Sequence, residues 1–349
     1  MNMTGPQAAD SRPVLLLRAR VGVVAGRALL VLLAGWLVWN AVAGPQQFLD
    51  VVLAGLRPGA LYALVALGYT LVYGIIGLIN FAHGDVFMLG AVVTSILLEE
   101  RLGVDSPGAR GWALSGVVLL VVMALGAGLN ATAERLVFRR LRTAPRLASL
   151  IAAVGLSFVL QWVGLELNGS GQRIWPTVVP NGGLVLGPAT IDWSTLVVTG
   201  VTIPLLLGLS YVVRRTRRGR AMRATSQDHD AARLMGIDVD RTIALTFAIG
   251  GALAGAAGVL YFATFGTTSY DVGFQFGLIA FTAAVLGGIG SLPGAVLGGF
   301  VIGEIQALND GLPYGFGQGW SQSVVFSVLI LLMVFRPEGI FGERPVDRA

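Results

Sequence analysis

"GLINFAHGDVFMLG", Gly77 to Gly90, sets an asparagine, a histidine and an aspartate inside an otherwise apolar run. Upstream of it, residues 51–76 form one long apolar stretch, and a new one opens at Asn80. The turn at Gly77-Leu78-Ile79 joins the two. Glycine or proline beside short apolar segments is how broken transporter helices look in sequence. A second hairpin of this kind turns near Gly290-Ser291-Leu292-Pro293. One hairpin in each half of the chain is a faint mark of an internal repeat.

In the first hairpin Asn80 is placed to cap the new helix. Asn80, His83, Gly84 and Phe87 follow at i, i+3, i+4 and i+7, one helical face, and Asp85 points away from it. Two readings stand. These polar groups fix tight interhelical packing by hydrogen bonding, or they line or gate a water-filled path, since ionisable groups in membrane segments face a partner or a cavity. A metal site lacks a ligand set, because the chain has two histidines and the other, His229, sits in a charged loop.

Composition agrees with a membrane setting. Of 349 residues, 55% are hydrophobic and 12% charged, with mean hydropathy +0.76. Soluble domains carry about 25% charged residues. Apolar runs of about 17–25 residues, enough for helices across ~30 Å of hydrocarbon, recur along the chain. The alternating segments of a β-barrel are absent. No cysteine is present, so disulfide and thiolate chemistry is excluded. The 49 glycines suit closely packed membrane helices. The expected fold is an all-α polytopic bundle of about nine to ten transmembrane helices with two short or broken hairpins.

Ten crossings are expected, at 22–43, 51–76, 80–98, 112–130, 147–165, 193–213, 242–263, 270–289, 294–308 and 321–335. All 24 basic residues are arginines, and they crowd alternate connections. One group is Arg135 to Arg146, another Arg214 to Arg241; Arg12, Arg18 and Arg20 precede the first crossing, and Arg336, Arg344 and Arg348 follow the last. The positive-inside rule then puts these groups and both termini in the cytoplasm of a multi-pass inner-membrane protein, and explains the +5 charge without nucleic acid. Residues 1–46 read as an N-terminal extension, 47–342 as the transmembrane domain and 343–349 as a cytoplasmic tail. Ala28 to Trp39 followed by Ala41-Val42-Ala43 fits an uncleaved anchor or a cleavable signal, the anchor being preferred.

Residues 214–241, "RRTRRGRAMRATSQDHDAARLMGIDVDR", are too long and too charged for a simple turn. They can form a short amphipathic helix with Ala231, Ala232, Leu234 and Met235 as its apolar part and Gly236 as its stop. Such a segment either rests on anionic lipid heads or docks a cytoplasmic partner.

"DAARLMG", Asp230 to Gly236, has the acidic-Ala-Ala-x-x-x-Gly spacing of the coupling loop in ABC importer permeases. With "YALVALGYTLVYGIIGLINFAHGDVFMLGA", "LIAAVGLSFVLQ", "GIDVDRTIALTFAIGGALAGAAGVLY", "AFTAAVLGGIGSLPGAVLGG" and "FRPEGIFG", the chain resembles the branched-chain (hydrophobic) amino acid importer permeases of the LivH type over about residues 50–342. The resemblance implies a second, related permease subunit, two cytoplasmic ATPases docking on a loop that includes Arg220 and Asp230 to Gly236, and a periplasmic or lipid-anchored binding protein. It implies a hydrophobic amino acid as cargo and alternating access as mechanism. No cofactor is expected in this chain, ATP and Mg²⁺ belonging to the partner subunits; the chain has no P-loop of its own.

The same family often carries a lysine at Ile279 and a glutamate at Gln306. Both positions are equidistant from the Leu292-Pro293 turn, so they are expected to face each other on the path, the ion pair having been lost as a unit. Leaving one buried charge unpaired would cost about 3–5 kcal/mol. Glu304 reads as snorkelling to water, or as lining the path or meeting the binding protein. Arg57-Pro58 reads as interfacial. The path itself is expected to be mostly apolar and of low affinity. The alternatives are a permease of the same architecture for urea or short amides, and an autonomous secondary transporter or channel. A membrane enzyme fails for want of a nucleophile beside His83 and Asp85.

Overall fold

The computed structural model describes residues 31, 34–104, 108–142, 144–174, 179–313, 315–336 and 339–342. Two units separate along the chain, Met1–Leu49 and Asp50–Ala349. In the first, residues 34–43 are helical. Half of the expected crossing at 22–43 lies outside the described residues, as do Arg12, Arg18, Arg20, Arg344 and Arg348.

Helix α1 (Pro45–Ile76) is followed by α2 (His83–Ser95), which runs on as a π-helical turn, Ile96–Arg101. Helix α3 (Ala109–Ala133) continues through a π turn, Glu134–Phe138, to Leu141. Then come α4 (Arg146–Asn168), β1 (Arg173–Ile174), β2 (Gly183–Leu186), β3 (Ala189–Asp192) and α5 (Trp193–Arg215). Two short helices, α6 (Arg217–Gln227) and α7 (His229–Leu234), lead to α8 (Val239–Phe265) and β4 (Thr267–Thr268). Helices α9 (Val272–Gly287), α10 (Leu292–Gly311) and α11 (Ser321–Phe335) complete the described chain.

Six helices among the described residues are apolar and long enough to cross a membrane. Each expected crossing from 51–76 onward falls on a helix. One helix of each hairpin is short: α2 has 13 residues before its π turn and α9 has 16, about 24 Å for α9 at 1.5 Å per residue. Because successive helices reverse direction, Arg214 to Arg223 and the ends of α1, α3, α9 and α11 share one end of the bundle, the arginine end. The antiparallel pairs β2–β3 and β1–β4 lie at the other.

Glycine sets the spacing of the core. Helix α8 lies backbone to backbone against α3 at Gly251 and Gly126, and a Cβ on Gly90 of α2 would stand 3.1 Å from the Gly255 Cα. Helix α10 meets α1 the same way, since a Cβ on Gly299 would lie 2.5 Å from the Ala63 backbone. Lipid tails give no hydrophobic drive between helices, so such close approach supplies the dispersion and weak polar contacts that hold them.

Two expectations about the turns change. Helix α2 begins at His83 with Ala82 at its N-cap, so Asn80 does not cap it; its amide faces Asn130 of α3 instead. In the second hairpin the turn is Gly288 to Ser291, and Leu292-Pro293 already belongs to α10. Ser291 caps that helix by accepting from the Gly294 N–H at 3.2 Å. Proline fits there because the first helical N–H has no partner to lose. The centre of the hairpin therefore sits earlier than expected. Ile279 is eight residues from the end of α9 and Gln306 fourteen from the start of α10, so they are not at equal depth.

Candidate functional site: an outer cavity and a projecting helix

The polar turn is packed, not open. Asn80, His83, Asp85 and Phe87 are all buried. Asn80 Nδ2 reaches Asn130 Oδ1 at 3.5 Å, and Asn130 Nδ2 donates to the Phe247 carbonyl of α8 at 2.8 Å, tying the turn to two helices. The His83 ring meets Tyr69 edge-on at 4.9 Å and fills the space beside Gly68. Asp85 faces the other way, as expected, and accepts a hydrogen bond from Ser157 of α4, which in turn accepts from Gln161 at 3.1 Å. Phe87 stacks on Phe276 of α9 at 4.1 Å.

Two cavities among the described residues lie at the end away from the arginines. A cavity of about 510 Å³ is walled by the first half of α1 and the outer ends of α8, α9 and α10. A second, of about 350 Å³, shares Phe276, Gln306, Asp310 and Gln318 with it. Ile279 and Gln306 both line the smaller one. Gln306 has a polar neighbour that the sequence did not suggest: the Tyr62 hydroxyl donates to its Oε1 at 2.6 Å. Asn80, His83 and Asp85 line neither cavity.

Arg57 and Pro58 are part of the larger wall rather than a simple interface anchor. The guanidinium carbon stands 4.7 Å from the Phe265 ring centroid. Beyond it, Tyr261, Phe276 and Tyr62 make an aromatic cluster, with Tyr62 and Phe276 4.7 Å apart. The wall is mostly apolar, with Arg57, Gln306, Asp310 and Gln318 as its charged and amide members. Glu304 is turned away from Gln306; its carboxylate lies against Gly55 of α1, 2.6 Å from where a Cβ would stand.

At the arginine end, the short helix expected to stop at Gly236 is α7, and a further helix, α6, precedes it. Thr216 caps α6, its Oγ1 accepting from the Gly219 N–H at 3.0 Å, while Arg220 is exposed. Asp228 caps α7 by accepting from the N–H groups of Asp230 and Ala231 at 2.8 and 3.0 Å. The helix ends in a Schellman motif, in which Gly236 N–H bonds to the Arg233 carbonyl and Ile237 N–H to that of Ala232, both at 3.0 Å. Gly236 has φ +78°, which glycine adopts without strain. Ala232 packs inward, Asp230 pairs with Arg233 on the surface, and Leu234 and Met235 are 88% and 82% exposed. The apolar part is therefore split, Ala232 holding the helix down while Ala231, Leu234 and Met235 are exposed.

Among the described residues no group of three or more His, Asp or Glu side chains could hold a metal ion.

Membrane-length helices sealed by glycine around a cavity open at one end define a polytopic membrane protein of the transport type. Residues 51–334 match the family model described as "Branched-chain amino acid transport system / permease component", and the chain belongs to that family. It is 40% identical over 309 residues to the high-affinity branched-chain amino acid transport system permease protein BraD of Pseudomonas aeruginosa, covering 86% of this chain and 98% of that one. It is 39% identical to LivH of Escherichia coli K12 over 86% and 97% of the two chains. A probable LivH of Methanocaldococcus jannaschii is 29% identical over 81% and 89%.

Proposed function

We propose that this chain is one permease subunit of an ATP-driven importer that carries branched-chain or other hydrophobic amino acids into the cytoplasm by alternating access. It pairs with a second, related permease; two cytoplasmic ATPases hold the ATP and Mg²⁺; a periplasmic or lipid-anchored binding protein delivers the solute to the outer cavity. The C-terminus is cytoplasmic, and so is the N-terminus unless the first helix is cleaved as a signal. Relatives at 39–40% identity are named as branched-chain amino acid permeases, which supports the cargo.

The observation that carries the reading is α7. Two large apolar side chains stand almost fully exposed on a short helix whose two ends are both capped. A rigid helix with bare apolar residues in a polar loop is a surface for a partner protein. Helix α8 starts five residues beyond α7 and runs to Phe265 in the cavity wall. At about 40 Å long, it joins docking site to cavity as one rigid element. A push on α7 from a closing ATPase dimer therefore reaches the cavity.

Proteoliposomes holding the complete complex are expected to accumulate radiolabelled leucine only with ATP and binding protein. Transport by this subunit with no ATPase present would overturn the proposal. Met235→Asp is expected to cut uptake at least tenfold, since a central interface residue contributes about 2 kcal/mol or more. Pull-down of the ATPases should weaken in step.

A further inference from the structure

We infer that the larger outer cavity is a binding site for a free zwitterionic amino acid, with Arg57 taking its carboxylate, Asp310 its ammonium and the aromatic wall its side chain. This rests on the importer reading and names the residues that hold the cargo within it.

The cavity, about 510 Å³, falls in the range of ~300–1,000 Å³ typical of small-molecule sites. Its two charges lie on different helices and are committed differently. Arg57 is a cation within a membrane-length helix. It takes part in none of the ion pairs among the described residues, and its Nε is buried with no hydrogen-bond partner. Its neighbours are the face of Phe265 and, beyond ion-pair distance, the Asp192 carboxylate, so no opposite charge meets it directly. An ionised group at this depth is costly unless it meets an opposite charge or water. A guanidinium presents a planar fork that fits a carboxylate through two parallel hydrogen bonds.

Asp310 ends the site at the close of α10. Its Oδ1 accepts from Asn309 Nδ2 at 2.9 Å and from the Ser321 hydroxyl. Held by one oxygen, the carboxylate is fixed in place, and its Oδ2 has no hydrogen-bond partner among the described residues. That oxygen suits an ammonium. Tyr62 is committed to Gln306, so between the poles the wall offers Leu61, Tyr261, Phe265 and Phe276. Fixed charges of both signs flanking an aromatic and aliphatic wall match one ligand chemistry: a zwitterion with an apolar side chain. An uncharged amide leaves both charges unanswered, and a simple carboxylic acid meets Asp310 with like charge.

The test uses the assembled transporter and photo-leucine, the diazirine analogue of leucine. Irradiation is expected to label peptides carrying Leu61, Tyr261 or Phe276. Excess leucine should compete, while leucinamide and 4-methylpentanoate should not. Arg57→Gln is expected to lose the label and lower leucine uptake by about 10–100-fold, the loss of a charge-assisted pair. Arg57→Lys keeps the charge without the fork and should lie between. Subunit stoichiometry and basal ATPase activity of both variants report assembly. Should wild-type complex import leucine yet label elsewhere, or should an assembled Arg57→Gln complex import at the wild-type rate, the site is refuted and the importer reading stands. A complex that does not import leucine with ATP and binding protein refutes that reading, and this inference with it.

Discussion

At the scale of the residue, Gly68 lacks a side chain because His83 fills the space one would need. The imidazole lies between α1 and α8, beside Gly68 and 3.6 Å from where a Cβ on Gly250 would stand. Close packing against Gly68, Gly250 and the Tyr69 ring holds it in place. Overfilling such a slot costs about 1–3 kcal/mol or more. Gly68→Leu is therefore expected to lower the midpoint of thermal unfolding in detergent sharply, and His83→Ala to relieve part of that loss. Gly116 of α3 is exposed with nothing near it, and Gly116→Leu should leave the midpoint within about a degree, given that surface changes stay near ±0.5 kcal/mol. Equal effects of the two leucines would mean that the slot is not close-packed. The burial of His83 and Asp85 was half legible in the sequence. Spacing gave their opposite directions on the helix, but nothing local pointed to Asn130, 50 residues from its partner Asn80, or to Ser157, 72 residues from Asp85.

Among the elements, the ends of α3 and α8 are joined by a chain of charges. Arg142 binds the buried Glu134 in the π turn of α3 and, at 2.6 Å, Asp240 in the first turn of α8; Arg139 also pairs with Asp240. This ties the first arginine-rich connection to the helix that receives α7. The Glu134 side chain is 1% exposed, and a buried carboxylate left without its partner costs about 3–5 kcal/mol. Arg142→Ala is expected to destabilise the purified complex on that scale, and the added change Glu134→Gln to recover much of it. Asp240→Asn breaks the link to α8 without stranding Glu134, and should depress leucine uptake more than ATP hydrolysis. A parallel fall in both activities would argue against transmission through this cluster. The "FRPEGIFG" stretch has an equally local task. The N–H groups of Ile340 and Phe341 bond to the carbonyls of Leu286 and Gly287 at 2.9 and 3.0 Å. They thus satisfy the free carbonyls at the end of α9, which a helix terminus always leaves. The sequence marked this stretch as characteristic without giving its purpose. It missed α6 as well. The buried stripe there is Gly219, Met222 and Thr225, the right spacing for a helix but too weakly apolar to stand out among arginines. Thr216 as its cap was the readable signal.

On the scale of the whole unit from Asp50 onward, the helices were legible because the apolar runs are long and carry few charges. The cavity was not legible, because its wall is assembled from residues of four helices that no single window contains. Of its lining only Gln306 was singled out for the path, with Ile279 on the smaller cavity beside it, and those by resemblance rather than by pattern. What the arrangement does place clearly is a division of labour between two ends. The bare apolar pair of α7 and the arginines lie at one, the cavity and the β2–β3 hairpin at the other, with α8 between. Function requires that the first end face the cytoplasm, where ATP is, and the positive-inside rule demands the same. Since the chain contains no cysteine, single-cysteine variants test this with no background. Ser226 of α6 and Val185 of β2 are both exposed. In intact spheroplasts an impermeant maleimide is expected to label Val185→Cys and spare Ser226→Cys, and to label both once the membrane is opened. The opposite pattern would put α7 out of reach of any ATPase. The coupling route from α7 through α8 to the cavity would then have no source of force.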